Sequence, residues 1–236
     1  MTILVLSDSH ISPKYSDVNI WKAIAEFVVQ HKPEAIVHLG DVADLDSLVW
    51  LKAARGLFTY EEELDHVAQH LHAFEDILLE DRMNSRKYKK KIYKPRKILC
   101  LGNHDVRNGA TGIADMFKDC GWEVYDYLVP AKVGNISFCH TMVKGLSDNP
   151  CVTAEELIQN WHGNIVVGHS HVQDYSESFS IATGEKIRAI KCPAFCTAGG
   201  DWAVQTRNKW ARGFTIIRTN PFEFMWKDIS CLKKTS

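Results

Sequence analysis

A layered α/β fold in one domain is the architecture this chain predicts, and three observations carry that reading. Short apolar runs recur between segments of helical periodicity, the pattern of strands joined by crossover helices. Those runs are nearly all apolar instead of alternating with polar residues, as in a sheet covered on both faces. No Pro/Gly/Ser-rich linker or internal repeat divides the 236 residues, so a single domain over 1–236 is expected.

Taken in order, the first unit is strand 2–6, a helix over 18–31 and strand 35–39, a βαβ crossover. Ile20, Ala23, Ile24, Phe27 and Val28 form the helix's apolar stripe, and Pro33 ends it. A longer helix starts at Thr59, where Glu62 stands at capping-box spacing, and runs to about Met83 with Leu64, Val67, Leu71, Phe74, Ile77 and Leu78 as its stripe. Acidic residues crowd its first turn, which complements the helix dipole. A basic run follows: Arg86, Lys87, Lys89, Lys90, Lys91, Lys94, Arg96 and Lys97, with Tyr88 and Tyr93 interleaved. The plain reading is a solvated helix face and connection; the sharper one is a positive surface for a polyanion, with tyrosines placed to stack on bases. About 59–96 is therefore expected to form one helical segment. Beyond it the pattern gives a helix over 113–120, strands over 124–129 and 136–140, a helix opened by Thr153 with Glu156 at capping-box spacing, and strands 187–190, 214–218 and 222–226. Between strands 187–190 and 214–218, the polar and aromatic stretch 199–213 reads as a loop beside a pocket.

Composition narrows the function classes. A formal net charge of -1 gives no global attraction to nucleic acid or acidic membrane, so any such contact is local. The first apolar run stops at Leu6, short of a signal-peptide core or a membrane span, and a cytoplasmic location is expected. Seven cysteines, an odd number without CxxC spacing, read as small buried side chains in a reducing compartment. Cys192 and Cys196, on either side of Pro193, are weak ligand candidates.

The chemistry lies in short polar clusters that each follow an apolar run: Asp8-Ser9-His10, Gly40-Asp41 with Asp44 trailing, Gly102-Asn103-His104-Asp105, Cys139-His140 and Gly168-His169-Ser170-His171. Ligands at five strand ends can converge on one rim. Asp8 and His10 can both face a metal only where the chain leaves the strand, with Ser9 pointing elsewhere. Carboxylate plus imidazole suits a borderline divalent ion such as Mn, Fe, Zn or Ni better than Ca or Mg. His169 and His171 repeat the arrangement, and Asp41, after a glycine whose missing side chain permits close backbone approach, can bridge two ions. Two ions about 3.5–4 Å apart orient a phosphate and bring a bound water's pKa toward ~7. His104, next to Asn103, is the natural acid for the leaving oxygen, with Asp105, or Asp44, holding its tautomer and orientation. His31, His38, His66, His70, His72 and His162 fall outside these clusters and read as core or surface residues.

On those motifs, Asp8-x-His10, Gly40-Asp41, Gly102-Asn103-His104-Asp105, His140 and Gly168-His169-x-His171, the chain resembles the calcineurin-like metallophosphoesterases over residues 8–171. The resemblance implies a four-layer αββα sandwich, two mixed sheets packed face to face and flanked by helices, with the strand-rich C-terminal third completing the second sheet. It implies two divalent metal ions, manganese foremost, one held by Asp8, His10, Asp41 and His171 and the other by Asp41, Asn103, His140 and His169, with His104 as the catalytic histidine. Protein phosphatases of that superfamily carry an Arg after the second motif and Glu after Asn-His; Asp44-Leu45-Asp46 and Asp105 stand here instead, which argues against that activity. Against that family, segment 59–96 counts as a helical insertion; it and the Trp-rich loop look, more loosely, like phage-encoded relatives.

The expected function is hydrolysis of a phosphate ester by a metal-activated water, on nucleotides or nucleic-acid ends. A Mn-dependent DNA or RNA exonuclease using segment 86–97 is the alternative, and a non-catalytic scaffold a more distant one. The long helix is a candidate face for homo-oligomerisation. Substrate choice is expected to rest on loops over 144–150, 173–180 and 202–212.

Overall fold

A computed structural model describes residues 1–49, 58–145, 147–181, 183–196 and 210–234. The first sheet has the order β11-β10-β1-β2-β3-β4. In it β1 (Thr2–Leu6), β2 (Ala35–His38), β3 (Arg96–Cys100) and β4 (Glu123–Tyr125) run parallel, while β10 (Gly213–Thr219) and β11 (Phe222–Asp228) add an antiparallel edge. The second sheet has the order β5-β6-β7-β9-β8, made of β5 (Ala131–Val133), β6 (Ile136–Cys139), β7 (Asn164–Val167), β9 (Lys186–Lys191) and β8 (Asp174–Phe179). The helices are α1 (Val18–His31), α2 (Tyr60–Lys87), α3 (Gly112–Asp119) and α4 (Ala154–Asn160).

Strand side chains point alternately to opposite faces, and that alternation builds the layers. Leu4, Leu6, Ile36 and Leu99 turn toward Ile24, Val28, Val67, Leu71, Phe74 and Phe117 of the first three helices. Their neighbours Ile3, Val5, Val37 and Ile98 turn the other way, onto Phe138, Val166 and Ile190 of the second sheet. On that sheet's outer face Ile165, Val167 and Ala189 meet Ala154 and Leu157 of α4. Three apolar seams therefore hold four layers, αββα, and the all-apolar β1 is buried on both faces because a seam lies on each side. Truncating a side chain at such a seam, Phe74→Ala for example, removes about 3–5 kcal/mol.

The capping boxes at Thr59/Glu62 and Thr153/Glu156 are both formed. Helix α2 packs its stripe inward against α1 and the sheet, leaving Leu79 and Met83 as exposed apolar residues. It also runs further than the stripe suggests, to Lys87, and takes Arg86 and Lys87 into its last turn. Four readings change. The C-terminal third, expected to complete the second sheet, divides: β8 and β9 join that sheet, whereas β10 and β11 pair onto β1 of the first. The strand expected over 124–129 ends at Tyr125, where its pairing with β3 stops. Segment 173–180, expected as a loop, is mostly the edge strand β8, paired antiparallel with β9. Strand β5, too short to show a pattern of its own, is fixed by pairing with β6. Among the described residues no helix is long and apolar enough to cross a membrane.

Candidate metal centre

Register brings the clusters to one rim. Leu6 of β1 pairs with His38 of β2, and His38 with Leu99 of β3, so segments 7–10, 39–41 and 101–105 leave the first sheet together. In the second sheet Cys139 pairs with Val167, which delivers His140 and 168–171 to one end. The two ends meet: His169 N–H donates to Asp8 Oδ2 at 3.0 Å, and His140 Nδ1 donates to the Leu39 carbonyl at 2.7 Å.

The chain leaves each strand sharply. Asp8, His10, Asp41, His169 and His171 have φ of 52°, 44°, 48°, 69° and 56°, the left-handed region. A β-carbon there costs roughly 1–2 kcal/mol per residue, and such strain persists only where the surrounding structure over-determines it. Ser9 points away, its Oγ 2.6 Å from His38 Nε2. His38 also accepts from Gly40 N–H at 3.1 Å through Nδ1, so this buried histidine is a satisfied core residue, and burial drops its pKa to about 3. Gly40 serves packing between strand ends: a Cβ there would lie 2.2 Å from Gly102 N. At Gly168 a Cβ would lie 2.5 Å from Asp8 Oδ2.

Every expected ligand lies at this rim, in two adjoining groups. His10 Nε2 is 3.0 Å from His171 Nε2, which is 3.3 Å from Asp8 Oδ1. His140 Nε2 is 3.0 Å from Asn103 Oδ1, 3.1 Å from His169 Nδ1 and 3.3 Å from Asp41 Oδ2. Acceptor atoms crowded this way suit a cation: ligands at ~2.0–2.2 Å stand about 3.0–3.4 Å from one another around it. Outer partners aim the rings. Asp44 Oδ1 lies 2.7 Å from His10 Nδ1, and the Leu39 carbonyl holds His140 Nδ1, so each presents Nε2 to the cluster. Asp41 is grouped by distance with His140 and His169, and the Asp8, His10 and His171 atoms form the neighbouring group.

The charges are tightly interlocked. Burial works against the Asp41 carboxylate, yet His140, His104 and His10 hold it well below the usual range. Asp8 is likewise lowered against burial, chiefly by His171. Burial also opposes the charge on His140, but Asp41 and Asp8 bring it up to about 9. His104 goes the other way, down to about 4, because burial outweighs the attraction of Asp41.

His104 stands beside the cluster, Nε2 3.9 Å from Asp41 Oδ2. The structure corrects one partner. Asp105 does not steady this ring; its oxygens accept from Val42 N–H at 2.9 Å and Gly102 N–H at 2.8 Å, pinning the loops that carry Asp41 and Asn103. Burial, and then Asp41, raise its pKa to about 7. The Asp44 carbonyl meets His104 Nδ1 at 3.1 Å instead.

Two residues, Arg107 and Tyr127, escaped the sequence reading. Arg107 places Nη2 2.8 Å from His104 Nε2 and Nη1 2.7 Å from the Asp44 carbonyl. Its signal was the three-residue spacing from His104, one short turn. Tyr127, a lone aromatic in a loop with no sequence signal, lies with its ring 6.3 Å from that of His140; Trp210, from the stretch expected beside a pocket, lies 4.1 Å from that of His171. Cys192 and Cys196 are buried and belong to none of the candidate ligand groups, with burial pushing both thiols up to about 12. Most of the 199–213 stretch lies outside the described residues.

The basic segment is elsewhere. It precedes β3, whereas the rim follows it, and five residues of strand at ~3.3 Å each separate the two ends by roughly 16 Å. Its last two members are structural: Arg96 forks onto Glu123 at 2.8 and 2.6 Å, and Lys97 Nζ is 2.7 Å from both Glu75 oxygens.

With this geometry in view, the sequence matches the family described as calcineurin-like phosphoesterase over residues 1–194 of 236. The chain belongs to the calcineurin-like phosphoesterase family. As a member of that family it is a metal-dependent phosphoric ester hydrolase, and the scaffold reading falls away. No curated protein sequence matches this phosphoesterase. Among solved structures, one described as "Structural and biochemical characterization of Yfce, a phosphoesterase from E. coli" is similar at 12% identity and a TM-score of 0.43, covering 97% of this chain and 100% of that one.

Proposed function

We propose that this phosphoesterase removes phosphate from nucleotides, with two divalent cations at the rim. Asp8, His10, Asp41 and His171 would hold one cation and Asp41, Asn103, His140 and His169 the other; manganese is the expected ion, and Fe, Zn and Ni suit the same donors. Bound there, the ions supply Lewis acidity toward phosphoryl oxygens and a lowered pKa for the attacking water.

The observation that carries the substrate class is the pair of aromatic rings flanking the cluster, Tyr127 beside His140 and Trp210 beside His171. A planar leaving group stacks on such a ring, and a base offers a π-face whatever its identity. The exonuclease alternative rested on the basic segment, which stands at the opposite end of β3 and gives that reading no support at the rim.

The chain's own groups divide the remaining work. A carbonyl oxygen only accepts, so His104 Nδ1 carries the proton facing Asp44, and Nε2 accepts from the Arg107 guanidinium. A phosphate dianion competes for that guanidinium as a bidentate partner. Its arrival draws Arg107 from Nε2, and its charge beside the ring favours the protonated imidazole that donates to the leaving oxygen. Asp44 keeps both His10 and His104 in place, one through its side chain and one through its carbonyl.

A panel of substrates with one phosphate and different leaving groups tests the reading. Reconstituted protein should release inorganic phosphate from nucleoside monophosphates with kcat/KM at least tenfold above that for a sugar phosphate, and Tyr127→Ala should erase the difference. Equal rates on both substrates, or mononucleotides released from DNA without inorganic phosphate, would overturn it.

A further inference from the structure

A cavity of about 1050 Å³ lies at the end of the first sheet opposite the metal rim. It is an open groove between the C-terminal turn of α2, the end of α1 and the approach to β3, with Lys32, Lys90, Lys91, Lys94, Tyr88 and Tyr93 in its walls. Two carboxylates also line it, and both are engaged. Asp81 lies 3.5 Å from Lys32 Nζ, and Glu34 accepts from Thr2 N–H at 2.5 Å, which lowers its pKa. Lys90, Lys91 and Lys94 are exposed and form no ion pair with a carboxylate among the described residues.

These lysines sit on an ordered frame. Helix α2 closes with Lys90 N–H donating to the Ser85 carbonyl at 2.8 Å and Lys89 N–H to Arg86 at 3.2 Å, the paired bonds of a Schellman cap. Lys89 occupies the left-handed position of that cap at φ 52°, where glycine avoids the Cβ penalty. Tyr93 anchors the far wall by donating from its hydroxyl to the Pro33 carbonyl at 2.7 Å. Tyr88 is 61% exposed, with Lys87 and Lys90 ammonium groups 5.4 and 5.9 Å from its ring centre.

We propose that this groove binds single-stranded nucleic acid, as a site separate from the catalytic rim. Exposed lysines on a fixed track answer a phosphodiester backbone, and an exposed tyrosine between them answers a base; that combination of charge and stacking is how strands are held without sequence preference. With a net charge of -1, attraction to a polyanion has to come from a local patch such as this one. The groove thus assigns the basic segment a tethering role, and it stands whether or not nucleotides are the rim's substrate.

Anisotropy of a fluorescent oligothymidylate, measured with full-length protein in chelator so that nothing is hydrolysed, tests the site. The Lys90→Glu, Lys91→Glu, Lys94→Glu triple variant should bind at least tenfold more weakly than wild type. Tyr88→Ala alone should lose about tenfold. Wild-type binding should fall with salt at a log–log slope of about -2, as three neutralised phosphates require. Mononucleotide hydrolysis by both variants should stay within twofold of wild type. Undiminished binding by the triple variant would overturn the site. Tyr88→Ala binding as well as wild type, with inorganic polyphosphate displacing the strand, would overturn the nucleic-acid assignment. Because the binding assay involves no turnover, neither result touches the phosphoesterase reading.

Discussion

The two ends of the first sheet use polar residues in opposite ways. At the rim after β1, β2 and β3, the charged groups are buried, strained and locked to one another: Asp8, His10, Asp41 and His171 are all at most 4% exposed. At the base before β3, Lys90, Lys91 and Lys94 stand in solvent, while Arg96 and Lys97 brace the strand through Glu123 and Glu75. Chemistry requires fixed donors in a low-dielectric setting, which only converging strand ends supply; attraction of a polyanion needs accessible charge. Residues 97 and 102 are close in sequence, yet one strand holds them to different tasks.

That contrast predicts that rim substitutions change rate and base substitutions change stability or binding. The sharpest break comes from His104→Ala, which should lower kcat by about 10²–10⁴-fold, most on substrates with poor leaving groups, while metal content stays at the wild-type level. A rate within a few-fold of wild type would remove His104 from proton transfer. At the base, Lys97→Ala leaves Glu75 and the Cys120 carbonyl without their shared cation. This should cost about 2–3 kcal/mol, several degrees of Tm, with kcat unchanged; thermal melts that coincide with wild type would show that the pair is ornamental. Returning to the rim, Arg107→Ala should raise KM about tenfold, the value of one charge-assisted contact to phosphate. An unchanged KM would reduce the guanidinium to a brace for His104.

The smallest effect concerns Asp46, half-buried at the edge of the rim. Burial, and then the Asp44 and Glu63 carboxylates, raise its pKa from 3.8 to about 6. The folded state therefore holds this proton more tightly than the unfolded one, so the group's stabilisation is full at low pH and is lost as pH rises through about 6. Asp46→Asn removes the dependence. In chelator, the variant should gain on wild type by about 1 kcal/mol between roughly pH 4 and pH 7, a figure discounted for partial exposure. A constant Tm difference across that range would contradict the shift.

Much of this contrast was legible in the sequence where backbone and chemistry agree. The rim clusters announced themselves because each follows an apolar strand, and parallel strands align their C-terminal ends. The left-handed turns at Asp8 and His10 answer the demand that two ligands one residue apart face the same way. Asp105 was misjudged because adjacency to His104 says nothing of direction; its carboxylate turns to Val42 and Gly102. The exonuclease alternative drew on the basic run without placing it; the run precedes β3 and so stands at the end away from the rim. Strands β5 and β8 were hidden because pairing with longer neighbours, more than their own pattern, decides them.

Metal stoichiometry tests the central claim most directly. Protein reconstituted with manganese and freed of excess ion should carry two ions per chain by elemental analysis, and Asp41→Asn, lacking the shared carboxylate, should retain at most one while keeping the wild-type fold by circular dichroism. One ion or none on the wild type, or two on Asp41→Asn, would contradict the account.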